Sequence, residues 1–258
     1  MKQRLVIGIL AHVDAGKTTL SEAILFLTGN IRSLGRVDNR NAFLDTYELE
    51  RARGITIFSK QAVFEWGDKQ FTLLDTPGHV DFSAEMERTL QVLDYAVLVI
   101  SGADGVQGHT ETLWRLLERY HVPVFLFVNK MDQTGTDRDT LLEEIKKRLH
   151  ENCIPFDSQG RNRQENWLEE LAMCDETVLE TYLETGEVKK GDIQNLIAKR
   201  SVFPCYFGSA LKVLGVKELL EGIEAYSQVM PAGKNFGARV YKISRDPQGN
   251  RLTHMRVT

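Results

Sequence analysis

The sequence has few of the features that mark secreted, membrane-spanning or strongly charged proteins. Its 258 residues include only three cysteines, which lie far apart without a C-x-x-C pair, so a disulfide framework or a zinc site is not expected. The first apolar run, Leu5 to Leu10, is too short for a signal-peptide core or a membrane span. A formal net charge of -4 argues against general affinity for nucleic acid. These absences predict a cytoplasmic globular protein with no membrane partner, and a monomer by default.

Strand-like and helix-like patterns alternate along the chain from residue 1 to about residue 230. Six strands are predicted, near residues 5–10, 61–66, 70–74, 95–101, 122–128 and 202–207. The alternation predicts an α/β fold with a mostly parallel, six-stranded, doubly wound sheet. Short helices near 167–173, 176–183 and 191–200 predict a small helical insert at about 151–200, after a loop at 151–164.

A different pattern begins after the Pro231-Ala232-Gly233 segment, which is typical of a linker. Residues 237–244 and 251–257 flank an Asp246-Pro247-Gln248-Gly249 turn and predict a β-hairpin. We therefore expect residues 231–258 to be a linker and the start of a second domain, and the chain to be a piece of a longer protein.

The first strand leads into a loop whose residues suit a bound phosphate. In the segment from Ala11 to Thr19, small residues let successive backbone N–H groups turn toward phosphate oxygens. Lys17 adds a positive charge for the β- and γ-phosphates, and the Thr18 hydroxyl can ligate Mg²⁺. Ala11 stands where the usual pattern has glycine, so a plain strand-to-helix turn is the alternative. The candidate nucleotide-binding residues here are His12, Val13, Asp14, Ala15, Gly16, Lys17, Thr18 and Thr19.

Two residues that follow the third strand have the chemistry to bind a metal ion and a terminal phosphate. Asp75 places a carboxylate where it can hold Mg²⁺, usually through water. Gly78 lacks a side chain, so its backbone N–H can approach a γ-phosphate closely. Judged alone, Gly78 is equally well explained by a Pro-Gly turn before a helix.

The end of the fifth strand has the chemistry of a guanine-binding loop. The Asp132 carboxylate can accept from both the ring N–H and the exocyclic amine of guanine, a pair that adenine does not present. Asn129 can bridge base and loop, and the Lys130 stem can cover the ring. After the sixth strand, Ser209 and Ala210 place a backbone N–H near the guanine oxygen. Because these motifs occur in order at strand ends, which meet at one edge of such a sheet, we expect GTP or GDP to bind there.

The long segment from Asn30 to Thr56 is rich in polar residues and lacks apolar periodicity. A structureless insert of this length in a compact domain is unusual and is often functional. The Thr56 hydroxyl could reach Mg²⁺ only when a γ-phosphate is present, which would order the segment in the GTP state. A solvated basic turn is the alternative interpretation.

Taken together, the motifs resemble the GTPase domain of translational GTPases. The segments that carry the resemblance are Ala11 to Thr19, Arg53 to Thr56, Asp75 to Phe82, Asn129 to Asp132 and Gly208 to Ala210. Within that group the chain looks like elongation factor G and its relatives, and is most similar to the tetracycline ribosomal-protection proteins. Residues 93–94 and 104–107 and the short insert after residues 129–133 carry this closer similarity, and the terminal hairpin resembles the start of a β-barrel second domain.

The resemblance implies GTP hydrolysis that the ribosome stimulates, with the ribosome as the partner of the full-length protein. It implies that His79 orients the attacking water, and that Val13 and Ile55 form an apolar gate around this histidine. Lys17, Thr56 and Gly78 complete the expected catalytic set, and the expected Mg²⁺ ligands are Thr18, Thr56 and Asp75.

Three other functions stay open from the sequence. An elongation factor G-type translocation factor fits the same motifs. An ATP-using P-loop enzyme or a non-hydrolysing nucleotide-dependent binding module fits the phosphate loop, although Asp132 disfavours the first. Intact His79 and Thr56 disfavour the second.

Overall fold

The computed structural model describes residues 2–33, 60–76, 83–161, 164–229, 236–246 and 248–257. Its strands are β1 (Gln3–Ala11), β2 (Lys60–Trp66), β3 (Lys69–Asp75), β4 (Tyr95–Ser101), β5 (Val124–Asn129), β6 (Cys153–Pro155), β7 (Phe203–Phe207), β8 (Ala238–Arg245) and β9 (Arg251–Val257). Its helices are α1 (Lys17–Leu27), α2 (Ser83–Leu90), α3 (Gly108–Arg119), α4 (Arg138–Arg148), α5 (Ser158–Arg161), α6 (Gln164–Ala172), α7 (Glu176–Thr185), α8 (Lys190–Ala198) and α9 (Val216–Tyr226).

The first seven strands form one sheet in the order β2-β3-β1-β4-β5-β7-β6. Strand β2 pairs antiparallel with β3, and the other neighbouring strands are parallel. The hairpin between β2 and β3 turns at Gly67, whose φ of 56° lies in the left-handed region that glycine adopts readily. Because β1, β3, β4, β5 and β7 run the same way, the loops that follow them meet at one edge of the sheet.

Helices cover the sheet on both faces, as the near-continuous apolar runs of its central strands predict. Every residue of β4 and β5 is buried. Alternate residues of these strands enter two separate cores: Val97 and Phe125 pack with α1 and α9, whereas Leu98 and Leu126 pack with α2, α3 and α4. The predicted doubly wound α/β fold is therefore confirmed.

The sheet has seven strands among the described residues, so the prediction of six was wrong. The additional strand, β6, lies in the segment 151–164 that was predicted to be a loop, and α5 follows it there. Strand β6 is three residues long and is defined by parallel pairing with β7, with Cys153 opposite Phe203. So short a segment carries no period-2 pattern, and only its partner strand fixes it as a strand.

Helices α6, α7 and α8 lie in the segment where short helices were predicted, and its status as an insert stays a prediction. Trp167 of α6 is 8% exposed and packs edge-on against Phe156, with 5.1 Å between the ring centroids. This contact fixes α6 beside the end of the sheet.

Lys69, at the start of β3, caps the C-terminal end of α9. Its ammonium group is buried and donates to the carbonyl oxygens of Glu224 and Ser227, at 2.5 and 2.7 Å, and to the Ser227 hydroxyl at 3.1 Å. Desolvation by burial lowers the pKa of Lys69. The three donors satisfy acceptors that the helix end would otherwise leave without partners.

Strands β8 and β9 form the predicted hairpin, with an irregularity between Val240 and Lys242. Arg256 of β9 contacts the main sheet region through Asp94 at 2.5 Å and the Val92 carbonyl at 2.6 Å. Asp94 in turn accepts from the backbone N–H of Val6 at 2.7 Å. The proposed domain boundary near residue 231 lies outside the described residues and stays a prediction. In the part of the chain that is described, no helix has the length and apolarity needed to cross a bilayer.

Candidate nucleotide-binding site

The edge of the sheet where the parallel strands end brings the sequence motifs together. The loop 12–16 follows β1, Thr76 follows β3, the loop 130–132 follows β5 and the loop 208–210 follows β7. In open α/β sheets ligands bind outside the carboxyl ends of the strands. The fold therefore brings the described candidates to one edge, as predicted.

The phosphate-loop segment has a tightly constrained backbone. Asp14 and Gly16 both have positive φ, at 62° and 94°, and the Ala15 N–H bonds to the His12 carbonyl at 3.2 Å. A Cβ added at Gly16 would lie 2.2 Å from the Asn129 side-chain nitrogen, so both the conformation and the close approach require glycine here.

The first turn of α1 supplies backbone donors to this loop. The helix starts after Gly16, and no side chain among the described residues caps its first N–H groups. Such N–H groups, with the positive end of the helix dipole, favour an anion. Thr18 and Thr19 lie half-buried in this first turn, and the role of Thr18 as a metal ligand stays a prediction.

Lys17 and Asp75 form a buried ion pair below the loop. The Lys17 ammonium lies 2.5 Å from the Asp75 carboxylate, and their side chains are 9% and 1% exposed. The Ser21 hydroxyl also approaches this carboxylate, at 3.5 Å. An ammonium group and a carboxylate side by side fit both halves of a metal–phosphate complex, the first for phosphate oxygens and the second for Mg²⁺ or its water ligands.

Asn129 joins the phosphate loop, residues 12–16, to the loop 208–210. Its side-chain N–H donates to the Ala15 carbonyl at 2.9 Å, and its side-chain oxygen accepts from the Ala210 N–H at 2.8 Å. The side chain is 3% exposed. Asn129 thus connects two loops of the site, and its predicted bridge to a base stays a prediction.

Backbone bonds connect the loops 129–132 and 208–210, which we call the two base-side loops. The Gly208 N–H donates to the Val128 carbonyl at 2.9 Å, and the Met131 N–H donates to the Gly208 carbonyl at 3.0 Å. A Cβ at Gly208 would lie 2.1 Å from the Leu214 carbonyl oxygen, so this position needs glycine. Lys130 has a φ of 63°, which turns the chain sharply between Asn129 and the rest of its loop.

Asp132 is held between a hydroxyl and an ammonium group. Hydrogen bonding from the Ser209 side chain, and then from Lys212, keeps the pKa of Asp132 below its usual value. The Lys212 ammonium lies 3.1 Å from the carboxylate. Asp132 is therefore a carboxylate at neutral pH, which is the form that accepts two N–H bonds from one base. Sequence reasoning did not identify Lys212, although it stands only two residues beyond Ala210.

His109 lies beside the phosphate loop. The rings of His12 and His109 meet edge-to-face, with 5.7 Å between their centroids. His109 belongs to the first turn of α3, so this contact fixes the start of α3 against the loop.

Several predicted site residues cannot be placed in this geometry. Thr56, Gly78, His79 and Ile55 lie outside the described residues. Val13, the other half of the proposed gate, lies in the phosphate loop and is half-buried. The roles given to these residues stay predictions.

The fold and the arrangement of loops are those of a P-loop GTPase domain. Comparison with known proteins agrees, since residues 2–229 match the family described as the elongation factor Tu GTP binding domain. The chain belongs to this family of translational GTPases.

Individual relatives divide between two functional names. The chain is 37% identical to the tetracycline resistance protein TetP of Clostridium perfringens, over 100% of this chain and 43% of the relative. It is 36% identical to the elongation factor G of Salinibacter ruber, over 97% of this chain and 45% of the relative. The tetracycline resistance protein TetO of Campylobacter jejuni is also 36% identical, over 97% and 42%.

A solved structure extends the similarity to three dimensions. The chain superposes on a Thermus thermophilus protein with a TM-score of 0.88 and 25% identity, over 99% of this chain and 45% of that one. The chain thus spans less than half the length of the relatives it matches.

Proposed function

We propose that the chain binds guanine nucleotides with Mg²⁺ and hydrolyses GTP. The observation that carries this proposal is the double hydrogen bond of Asn129 to Ala15 and Ala210, which joins the phosphate side and the base side of one site. The Asp132 carboxylate supports guanine as the base, because its two oxygens match the two adjacent N–H groups of guanine.

The proposed reaction is in-line attack of water on the γ-phosphate, with catalysis by positioning and charge stabilisation. Lys17 and the backbone N–H groups at the start of α1 hold the phosphates, and Thr18, Thr56 and Asp75 hold the metal directly or through water. Bound Mg²⁺ would supply positive charge to the phosphate oxygens. His79 orients the attacking water, and the Gly78 N–H contacts the γ-phosphate.

Nucleotide binding and hydrolysis are tested separately. We expect GDP and GTP to compete with a fluorescent GDP analogue, and ATP to leave it bound. An equal effect of ATP would contradict the guanine assignment.

His79→Ala should keep the affinity for GDP and lose ribosome-stimulated hydrolysis. His121→Ala is the control, because His121 belongs to the turn after α3, away from the loops at the strand ends. Unchanged stimulated turnover in His79→Ala would contradict the role of His79.

We also propose that the full-length protein acts in the cytoplasm, as a monomer, on the ribosome, and protects it from tetracycline. TetP and TetO carry that resistance in their names, and the chain matches them over almost its whole length. The alignment with TetO runs over 266 positions and that with elongation factor G over 320. Within the matched region, elongation factor G therefore has more residues without a counterpart in this chain than TetO has. This difference favours the protection proteins.

The decisive experiment uses the full-length protein that contains this chain. Bacterial ribosomes are stalled with tetracycline in the presence of elongation factor G, and the protein is added with GTP. Restored peptide synthesis is the expected result. Failure to restore synthesis would contradict the protection proposal.

Translocation is the second candidate, because the elongation factor G relative is as similar in identity as TetO. The same assay without elongation factor G and without drug tests it. Peptide synthesis in that reaction would assign the chain to a translocation factor instead.

A further inference from the structure

Arg138, the first residue of α4, makes a bidentate ion pair with Asp157, which lies between β6 and α5. Its two terminal guanidinium nitrogens each lie 2.6 Å from one oxygen of Asp157. The side chains are 20% and 5% exposed, so the pair is largely shielded from water. Planar bidentate pairs of this kind fix both distance and orientation.

The same guanidinium covers the ring of Phe207, at 4.3 Å from its centroid. Phe207 is the last residue of β7 and lies opposite Val128 of β5 in the parallel register. The residues that follow these two are Gly208 and Asn129, which begin the two base-side loops. Arg138 therefore contacts the sheet at the point from which both loops emerge.

Two sets of contacts thus hold the base-side loops. On the inner side, backbone bonds connect Gly208 to Val128 and Met131. On the outer side, Arg138 connects the start of α4, which follows the 129–132 loop, to Phe207, which precedes the 208–210 loop. A shift of α4 relative to β7 would change the position of Asp132 relative to Ser209.

We propose that Arg138 is a positioning residue that sets the preference of the site for guanine, acting through Asp157 and Phe207. This inference rests on the proposed binding of guanine nucleotides. Lysine cannot replace the arginine in this role, because a point ammonium neither pairs with both carboxylate oxygens in one plane nor stacks flat on the ring.

The surroundings of Arg138 allow this role to be separated from plain stability. Its outer side lines an open cavity of about 380 Å³, together with Leu142 and Trp167. Truncating the side chain would enlarge a space that water already reaches, and would not create a closed void in the core. The loss of stability should therefore be moderate, and a folded variant should be obtained.

Lys146 provides a matched control on the same helix. It forms an ion pair with Glu170 of α6, so it also joins α4 to the insert, and it lines the same cavity. Its cation, unlike that of Arg138, pairs at the far end of α4 from the base-side loops. If Arg138 only fastened the insert, the two substitutions would have the same effect on base preference.

The test compares the affinities for GDP and for inosine diphosphate, which lacks the exocyclic amine that Asp132 would accept from. The variants are Arg138→Met, Arg138→Lys and Lys146→Met, and the readout is the ratio of the two dissociation constants by calorimetry. A smaller folded fraction weakens both nucleotides equally and cancels in the ratio. We expect the preference for GDP to fall about fivefold in both Arg138 variants and to be unchanged in Lys146→Met.

Each result bears on the proposal. If the unsubstituted chain binds both nucleotides equally, the guanine assignment fails and this inference with it. If it prefers GDP and both Arg138 variants keep the same ratio, only the inference is overturned. An equal fall in Lys146→Met would also overturn it, because the effect would then belong to the insert as a whole. Asp157→Asn, which keeps the shape of the partner and removes its charge, should reproduce the fall and keeps the test available if Arg138→Met does not fold.

Discussion

Replacing Asn129 by alanine should destabilise the chain considerably, even though the substitution removes only a small polar group. The side chain is 3% exposed, and both groups that it satisfies belong to buried residues, since Ala15 is 2% and Ala210 0% exposed. Alanine would leave the Ala15 carbonyl and the Ala210 N–H without these partners. A buried group left without a partner costs about 1–3 kcal/mol, so the loss should be roughly 3 kcal/mol, a large share of a stability of about 5–15 kcal/mol.

The chain provides a matched control in Asn30. This asparagine also makes two side-chain contacts, donating to the Val63 carbonyl at 2.8 Å and accepting from the Thr28 hydroxyl at 3.0 Å, but it is exposed. Water can replace its side chain at both partners. Asn30→Ala should therefore cost about 0.5 kcal/mol or less.

Urea unfolding of the nucleotide-free variants, followed by circular dichroism, measures both values through the linear dependence of the unfolding free energy on urea. Asn129→Asp provides a second test, since it keeps the acceptor for Ala210 but turns a carboxylate oxygen toward the Ala15 carbonyl. We expect it to unfold at a lower urea concentration than the unsubstituted chain. The reasoning would be refuted if Asn129→Ala cost no more than Asn30→Ala.

Three further predictions concern regions away from the nucleotide loops. Lys69→Met should lower the free energy of unfolding by about 2–3 kcal/mol, because it removes the charged donor that caps α9, whereas Lys217→Met on the surface should change the urea midpoint little. Native protein should resist thiol-directed reagents at pH 8, because burial raises the pKa of Cys174 to about 11 and Cys153 and Cys205 are fully buried. Labelling at Cys174 should be roughly a hundredfold slower than at an ordinary thiol. Rapid labelling without denaturant would contradict this. Arg256→Ala should speed amide hydrogen exchange in β8 and β9 without altering exchange in β4, and equal exchange in the hairpin would show that its contact with Asp94 contributes nothing.

Much of the fold is visible in the sequence because its central strands are buried on both faces. Residues 95–101 and 122–128 are continuous apolar runs, and the structure buries every residue of β4 and β5. The phosphate loop is equally visible, since the left-handed backbone at Gly16 and its close approach to Asn129 leave room for no side chain. Here local sequence and tertiary environment demand the same residues.

Features that depend on a partner distant in sequence are not visible in this way. Strand β6 exists because β7 pairs with it, and nothing within residues 153–155 distinguishes a strand from a loop. The partner of Asp132 is similar: Lys212 reaches the carboxylate because the chain turns back after Ser209, which pairs with Leu214 in an isolated bridge. The sequence gives the residue types of the site, and the tertiary fold decides which of them meet.

The ion pairs on the two sides of the site differ in burial, and this difference bears on how a nucleotide would enter. On the base side, backbone bonds from Gly208 and the side chain of Asn129 hold the loops, and the Asp132–Lys212 ion pair is partly exposed, so a base would meet loops already in position. On the phosphate side, Lys17 already contacts the carboxylate of Asp75. A phosphate group would have to share or replace that carboxylate, exchanging one anionic partner for another. Binding would therefore gain less from Lys17 than a lysine exposed to water would suggest, and release would restore the buried ion pair. Such a balance suits a protein that must both hold and release its nucleotide in each cycle.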